Sequence, residues 1–322
     1  MKKYKFPERY HAPISAKNYF EGWYYKQVSA DGVHTISLIP GVSFHKNESH
    51  CFIQCLYYHN NTGLESYNVD FPISFFHAFD FPFKINILEN SFHKHGLSIN
   101  LDTPQIKLHG NLLFEHITPL QTSFLNLNIM GFFSYIPNME CNHGILSMSH
   151  KIQGGLTIQG KYIDFTGGKG YIEKDWGRSF PKNYAWIQSN YFQNDSVSLF
   201  FSVAKIPFLC FTFNGFICNF LHNGIEYRFA TYNWSKLAFF HLSNKSFNLR
   251  LKNKKYTLYL KGAIASSKDL LAPKLGAMNA TIKEGLSGKV KVFLINKKKE
   301  EIFQGNSNLC GMELECASNI KS

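Results

Sequence analysis

The feature that most restricts this chain is its period. Apolar and polar side chains alternate every second residue almost from end to end, punctuated by Gly, Asn, Pro and Asp. "GVHTISLIPGVSF", "HCFIQCLYYHNNTG", "GGLTIQGKYIDFTGG", "SVSLFFSVAKI" and "SFNLRLKNKKYTLYLKGAI" all carry the pattern. A period of two places successive side chains on opposite faces of a strand, so the chain predicts strands throughout. "NNTG", "HNG", "KNKK" and "NKKKEE" are expected hairpin tips. Many short strands at near-regular spacing argue for an all-β protein of barrels or half-open barrels with little helix. Helical signals are thin. "PISFFHAFDFPF" is too rich in Pro and aromatics for a regular helix, and "TPLQTSFLNLNIMGFFSYIPNMECNHG" reads as a long apolar loop or broken helix. Only "SKDLLAPKLGAM" suggests a short helix. The pattern divides near residue 155, which predicts two antiparallel β domains, 1–155 and 156–322, each close to the size of one eight-stranded barrel.

Composition narrows the function classes. The 322 residues can bury a core without covalent staples, and a 16% aromatic share dominated by Phe and Tyr suits pleated, half-buried surfaces. The 7 cysteines are odd in number, several lie in apolar runs such as "FLCFTF", and no CxxC occurs. That usage predicts reduced, buried thiols rather than a disulfide framework or a thiolate zinc site. The net charge of +12 raises nucleic acid as a partner, but only four arginines are present and the lysines gather in expected turns. A solvated, lysine-rich surface is the expectation, with no nucleic acid. The start "MKKYKFPERYHAPIS" lacks an apolar signal core, and no apolar run approaches a membrane span. These readings predict a cytoplasmic protein whose membrane contact, if any, is peripheral.

Three stretches carry most of the chemistry. In "YAWIQSNYF", Tyr184, Trp186, Gln188, Asn190 and Phe192 share one strand face, a mixture of large rings and amides suited to lining a cavity. In "YFEGWYYK", Tyr19, Glu21, Trp23 and Tyr25 share a face. Glu21 is either a carboxyl held among aromatics or the anchor of an ion pair with Lys26 or Arg178. In "GYIEKDWGRSF", Tyr171, Glu173 and Asp175 fall on one side, beside Trp176 and Arg178. Two neighbouring carboxyls can share a proton, which suits acid catalysis; alternatively Lys174 and Arg178 neutralise them in a structural corner. In "HCFIQ", His50, Phe52 and Gln54 share a face. His93 and His95 in "FHKHG" are two apart, but with no third ligand at an informative spacing no metal is expected. "GGKG" is a turn, not a phosphate loop.

Taken together, "YFEGWYYK", "HCFIQ", "HGILSMSHKIQGGL", "GYIEKDWGRSFPKNYAWIQSNYF" and "LLAPKLGAMNATIKEGLSGKVKV" followed by "GMELE" resemble the tocopherol cyclase family, in family order across nearly the whole chain. The resemblance implies two lipocalin-like β-barrels, a fold shared with the carotenoid hydratase and AttH-like groups. It also implies a cofactor-free cyclisation of a prenylated hydroquinone to a chromanol. No plastid-type presequence precedes Tyr19, which is against a plastid location. The residues suit such chemistry: alkene protonation needs a carboxylic acid in a dry pocket, and aromatic faces stabilise the resulting cation. On that basis Glu173 or Asp175 is the expected acid, with Glu21 as substitute. Trp23, Trp176 and Trp186 are the expected walls around the cation, Gln188 and Asn190 orient the head group, and Tyr25, His50, Gln54 and Arg178 complete the binding set. A lipocalin-like carrier that transforms nothing, or a hydratase in which water captures the cation, would draw on the same residues.

Overall fold

In a computed structural model, residues 5–315 are described, apart from 13–15, 47, 124–125, 137–138, 194–195 and 209–210. The predicted alternation becomes two antiparallel sheets. The first contains β1 (Tyr19–Val28), β2 (His34–His45), β3 (Glu48–His59), β4 (Gly63–Pro72), β5 (Phe76–Asp80) and β6 (Phe83–Ile87). It continues with β7 (Asn90–His93), β8 (Gly96–Asp102), β9 (Lys107–Glu115), β10 (Cys141–Ile158), β11 (Lys161–Asp164) and β12 (Lys169–Gly177). The second contains β13 (Tyr184–Ser189), β14 (Val197–Phe208), β15 (Phe211–His222), β16 (Ile225–Ala230) and β17 (Lys236–Leu242). Its remaining strands are β18 (Ser246–Lys252), β19 (Tyr256–Ala263), β20 (Lys268–Lys274), β21 (Ala277–Asn296) and β22 (Glu301–Glu315).

Strand order in the first sheet is β4-β3-β2-β1-β12-β10-β9-β8-β7-β6-β5, with β11 paired to β10. In the second it is β16-β15-β14-β13-β22-β21-β19-β18-β17, with β20 paired to β21. Neither order returns on itself, so both are half-open barrels. All four expected hairpin tips join consecutive antiparallel strands: β3 to β4, β15 to β16, β18 to β19 and β21 to β22. The helices among the described elements are short 3-10 turns, one of them at Gly131–Tyr135 inside the irregular apolar segment. The helix expected at "SKDLLAPKLGAM" is instead β20, the turn at Leu275 and Gly276, and the start of β21. Pro273 cannot donate within a helix, and its carbonyl here accepts from the Phe180 amide at 3.1 Å.

Two compact units result: Met1–Phe180 with Leu270–Thr281, and Pro181–Asp269 with Ile282–Ser322. The division expected at residue 155 falls inside β10, whose ladders with β9, β11 and β12 run through that point. Each unit has its own apolar core. In the first, Trp23, Tyr25, Ile36, Leu38, Ile53 and Ile172 are among the residues that pack together; in the second, Ala185, Ile187, Phe201, Phe220, Leu258 and Met312 do so. Cys51, Cys55, Cys218 and Cys310 are buried free thiols and Cys141 is a half-buried one, while Cys210 and Cys316 lie outside the described residues.

Candidate functional site

The register between β1 and β12 decides which of the expected site residues meet. Glu21 lies opposite Trp176, Trp23 opposite Lys174 and Tyr25 opposite Ile172. The alternate pairs are Gly22 with Asp175, Tyr24 with Glu173 and Lys26 with Tyr171. Directly opposed residues in an antiparallel pair project to the same side. Glu21, Trp23, Tyr25, Lys174 and Trp176 therefore occupy the core side, whereas Tyr171, Glu173 and Asp175 occupy the other.

On the core side, Glu21 has a full cationic partner. Its Oε2 is 2.5 Å from Lys174 Nζ, and both side chains are fully buried. Glu21 Oε1 accepts from the His11 amide at 2.6 Å and from the Tyr19 hydroxyl at 2.9 Å. The Lys174 ammonium donates to the Arg9 carbonyl and lies 3.4 Å from His11 Nδ1. It also sits 4.4 Å from the centre of the Trp23 ring and 5.1 Å from that of Trp176. The indoles expected to face a substrate cation thus face a lysine. Trp23 Nε1 donates to the Glu8 carbonyl at 2.7 Å, which ties the same corner to the N-terminal segment. Gly144, opposite Lys174, makes room for that segment: a Cβ there would stand 2.5 Å from Pro7 Cβ. Of the two roles expected of Glu21 the ion pair forms, but with Lys174 in place of Lys26 or Arg178: Lys26 projects to the opposite side and Arg178 is exposed beyond the end of β12. Tyr25 is a core residue, fully buried against Phe92 and Phe114, and burial raises its phenol pKa.

The other side holds the candidate site. β10 brings His143 directly opposite Asp175. Its Nδ1 is 2.6 Å from Asp175 Oδ1, and its Nε2 is 3.3 Å from Glu173 Oε2. The Tyr171 hydroxyl donates to the same Glu173 oxygen. Burial pushes the His143 imidazole down, but the nearby Asp175 and Glu173 charges outweigh it and raise its pKa to about 10. Burial first, then the charge of Glu173, raises the Tyr171 phenol. The result is a continuous chain Tyr171–Glu173–His143–Asp175. Its Asp175 end is the open one, with 25% of that side chain exposed against 5% for Glu173. Neither Lys174 nor Arg178 neutralises these acids, because Lys174 projects to the core side and Arg178 is exposed.

The strand row through Asp175 is otherwise almost bare. It runs from Phe52 through Gly41 and Gly22 to Asp175 and His143. The Phe52 ring lies over Gly41, where a Cβ would meet it at 2.3 Å. A smooth apolar floor therefore adjoins the open end of the chain of acids. His143, Glu173 and Asp175 also bring three potential ligand atoms within 4.8 Å of one another, so this donor set could hold a cation where His143 now holds a proton. His93 and His95 are not part of it.

β10 carries a second buried histidine. Register shifts between Ile145 and Ser147 and between Ser147 and His150 re-aim the strand. His150 lies opposite Gly170, with Nε2 3.2 Å from Gln27 Oε1 and Nδ1 3.1 Å from Ser147 Oγ. Burial lowers its pKa to about 3, so it is neutral in the native protein.

The remaining expected residues are dispersed. His50 is 3.8 Å from Asp70 and about a third exposed, and Gln54 donates to the Leu271 carbonyl at 3.0 Å. Both belong to the side of the first sheet that carries Asp175, since the row containing Phe52 does. Trp186 and Gln188, on the face of β13 opposite the apolar core, and Asn190, just past the end of β13, belong to the second unit. All three are buried, and Gln188 Nε2 lies 3.5 Å from Asn190 Oδ1. Beside them the Tyr184 hydroxyl donates to Glu313. His143 is the member of this candidate site that the sequence motifs did not single out. Its signal was its position in the alternation of "CNHGILSMSH", two residues before Ile145.

Comparison with known proteins agrees with this fold. A family model described as tocopherol cyclase-like matches residues 120–315. That stretch includes β10 and β12 but not the Tyr19–Lys26 and His50–Gln54 motifs. A crystal structure of CghA with Sch210972 superposes with a TM-score of 0.59 at 8% identity, covering 94% of this chain and 89% of that one. Kievitone hydratase from Nectria haematococca gives 0.55 at 10% identity, covering 96% and 92%. A putative AttH from Nitrosomonas europaea gives 0.52 at 10% identity, covering 91% of each chain. No curated protein matches the sequence.

Proposed function

The chain belongs to the tocopherol cyclase-like family, and from that premise we propose that it is an enzyme of the cyclase or hydratase type that protonates an isoprenoid alkene. A prenylated hydroquinone is the substrate class, and a chromanol the product. The observation that carries the reading is the Tyr171–Glu173–His143–Asp175 chain, open at Asp175 beside the Gly22–Gly41 strip.

At rest the chain holds its proton on His143. An imidazolium that binds its proton so tightly is a poor donor to a carbon–carbon double bond. The reacting form therefore carries a further proton on a carboxyl, Asp175 being the more exposed one and Glu173 its reserve. The carboxyl O–H bond breaks as a C–H bond forms at the less substituted alkene carbon, leaving a tertiary cation and a carboxylate. The phenol oxygen attacks the cation to close the ring. The phenolic proton returns to the carboxylate, restoring the starting state. The aromatic groups on this side, Tyr24 opposite Glu173 and Phe52 over Gly41, supply faces for the cation in the roles expected of Trp23 and Trp176.

The test is incubation with a prenylated hydroquinone and chromatographic detection of chromanol. Asp175→Asn and Glu173→Gln should each lower turnover by about 100-fold or more. Full activity in both would remove the carboxyls from the mechanism. A tertiary alcohol in place of the chromanol would identify the hydratase variant. Loss of activity with a chelator, restored by a divalent ion, would replace the proton role of this donor set with a metal one.

A further inference from the structure

The second unit carries a surface that the chemistry above does not use. On the outward side of β17, β18, β19 and the distal part of β21, side chains fall into registered rows. One row sets Lys236 opposite Lys252. The next runs Phe239, Arg250, Tyr259 and Phe293, and the third runs His241, Asn248, Lys261 and Lys291. The four lysines and Arg250 are exposed. Phe239 is 45% exposed and Tyr259 37%, although both are large rings.

Two of these contacts oppose sheet stability. Lys236 faces Lys252, and Lys261 faces Lys291, directly across the ladder. Like charges so placed destabilise a strand pair. Among the described residues, the ion pairs of this unit join Arg228 to Glu226 and Lys283 to Asp269, and leave these cations out. The second and third rows contain no carboxylate. A face that accumulates uncompensated charge at the expense of its own ladder is complementary to an anionic partner. Trp234, two residues before Lys236, is 89% exposed. Lysines interspersed with exposed Trp, Tyr and Phe match the headgroup level of an anionic bilayer, where amphipathic rings and ammonium groups both find partners.

We propose that this face docks the protein peripherally on an anionic lipid bilayer. Single-stranded nucleic acid is the less suited occupant. Only one cation here is an arginine, the residue whose planar fork fits phosphates and stacks on bases. Tyr259 and Phe293 pack against each other, with ring centres 5.9 Å apart, rather than standing free as stacking platforms. The inference does not depend on the proposed reaction, although docking at a bilayer would place the enzyme where lipophilic substrates reside.

Vesicle co-sedimentation of the full chain tests it. Vesicles of phosphatidylcholine mixed with phosphatidylglycerol should bind the protein, vesicles of phosphatidylcholine alone should not, and added salt should release it. Lys252→Glu/Lys261→Glu/Lys291→Glu should weaken binding by about 100-fold or more, and Trp234→Ser by about 5-fold. The milder Lys261→Gln/Lys291→Gln relieves a repulsive pair without reversing charge. If it retains cooperative unfolding and still binds about 10-fold more weakly, misfolding is not the cause. Equal binding to both vesicle types, unchanged binding of the charge variants, or binding of a single-stranded oligonucleotide but not of vesicles would each overturn the proposal.

Discussion

The two sides of the β1–β12 ribbon hold similar ingredients in different states of completion. On the core side, one carboxylate meets one ammonium, and the Arg9 carbonyl, the His11 amide, the Tyr19 hydroxyl, Trp23 and Trp176 surround them. On the other side, two carboxylates share one imidazolium, and the chain ends at a half-buried Asp175. A buried pair of one cation and one anion is a structural clasp. An unequal set of acids with an open end can take up and release a proton. Residue types alone do not separate the two; the balance of charge and the access to solvent do.

The largest expected effect comes from unbalancing the clasp. Lys174→Met leaves the Glu21 carboxylate buried without its cation and should cost about 3–5 kcal/mol in urea unfolding. Lys174→Met/Glu21→Gln should recover most of that loss, and a double variant as unstable as the single one would show that the pair is not the unit of stability. Breaking the other side should act on chemistry first. His143→Gln should lower turnover by about 100-fold, equivalent to about 2.7 kcal/mol of activation free energy, at a smaller cost in stability. A variant that unfolds before it loses activity would erase the distinction between the two sides.

The pH dependence sharpens the comparison further. The folded His143 pKa, raised to about 10, lies above its ordinary value, so His143 contributes stability in full below about pH 6.5 and loses it as pH rises through about 10. Between pH 7 and 10.5 the wild type should lose about 4 kcal/mol more than His143→Gln. His150 should do the reverse on the same strand. Its folded pKa is lowered to about 3, so the unfolded chain binds the extra proton and stability falls as pH drops from about 6.5 toward 3. His150→Asn should flatten that acid limb by about 3 kcal/mol between pH 7 and 4, whatever its cost at neutrality. At the small end, Arg178→Ala should change stability by less than about 0.5 kcal/mol, since the side chain is exposed and holds neither acid pair.

Alternation in the chain marks the faces of individual strands but not their partners. Period two correctly grouped Tyr171, Glu173 and Asp175, and separately Glu21, Trp23 and Tyr25. It could not show that these groups back onto each other, because that depends on Glu21 meeting Trp176 rather than Asp175, a one-residue choice of register. Lys174 looked like the natural counter-ion of Glu173 and Asp175 because it stands between them in the chain. On a strand, an immediate neighbour points away, and the ammonium serves a carboxylate 153 positions earlier. His143 was hidden for a related reason: its approach to Asp175 depends on the register between β10 and β12, which local alternation does not reveal.

One strand is shared by both units. β21 begins within the first, where Leu270–Thr281 belongs, and continues into the second. The Ser43 hydroxyl donates to the Gly276 carbonyl at 2.7 Å, Gln54 reaches Leu271, and the Leu275 amide donates to Ser179 Oγ at 2.8 Å. During synthesis, therefore, the first unit cannot complete these bonds when Phe180 leaves the ribosome. It must wait, with those groups open, until the chain has been made as far as Thr281. A stop codon anywhere in that interval would release a polypeptide whose first sheet has all its own strands and still lacks its closing hairpin.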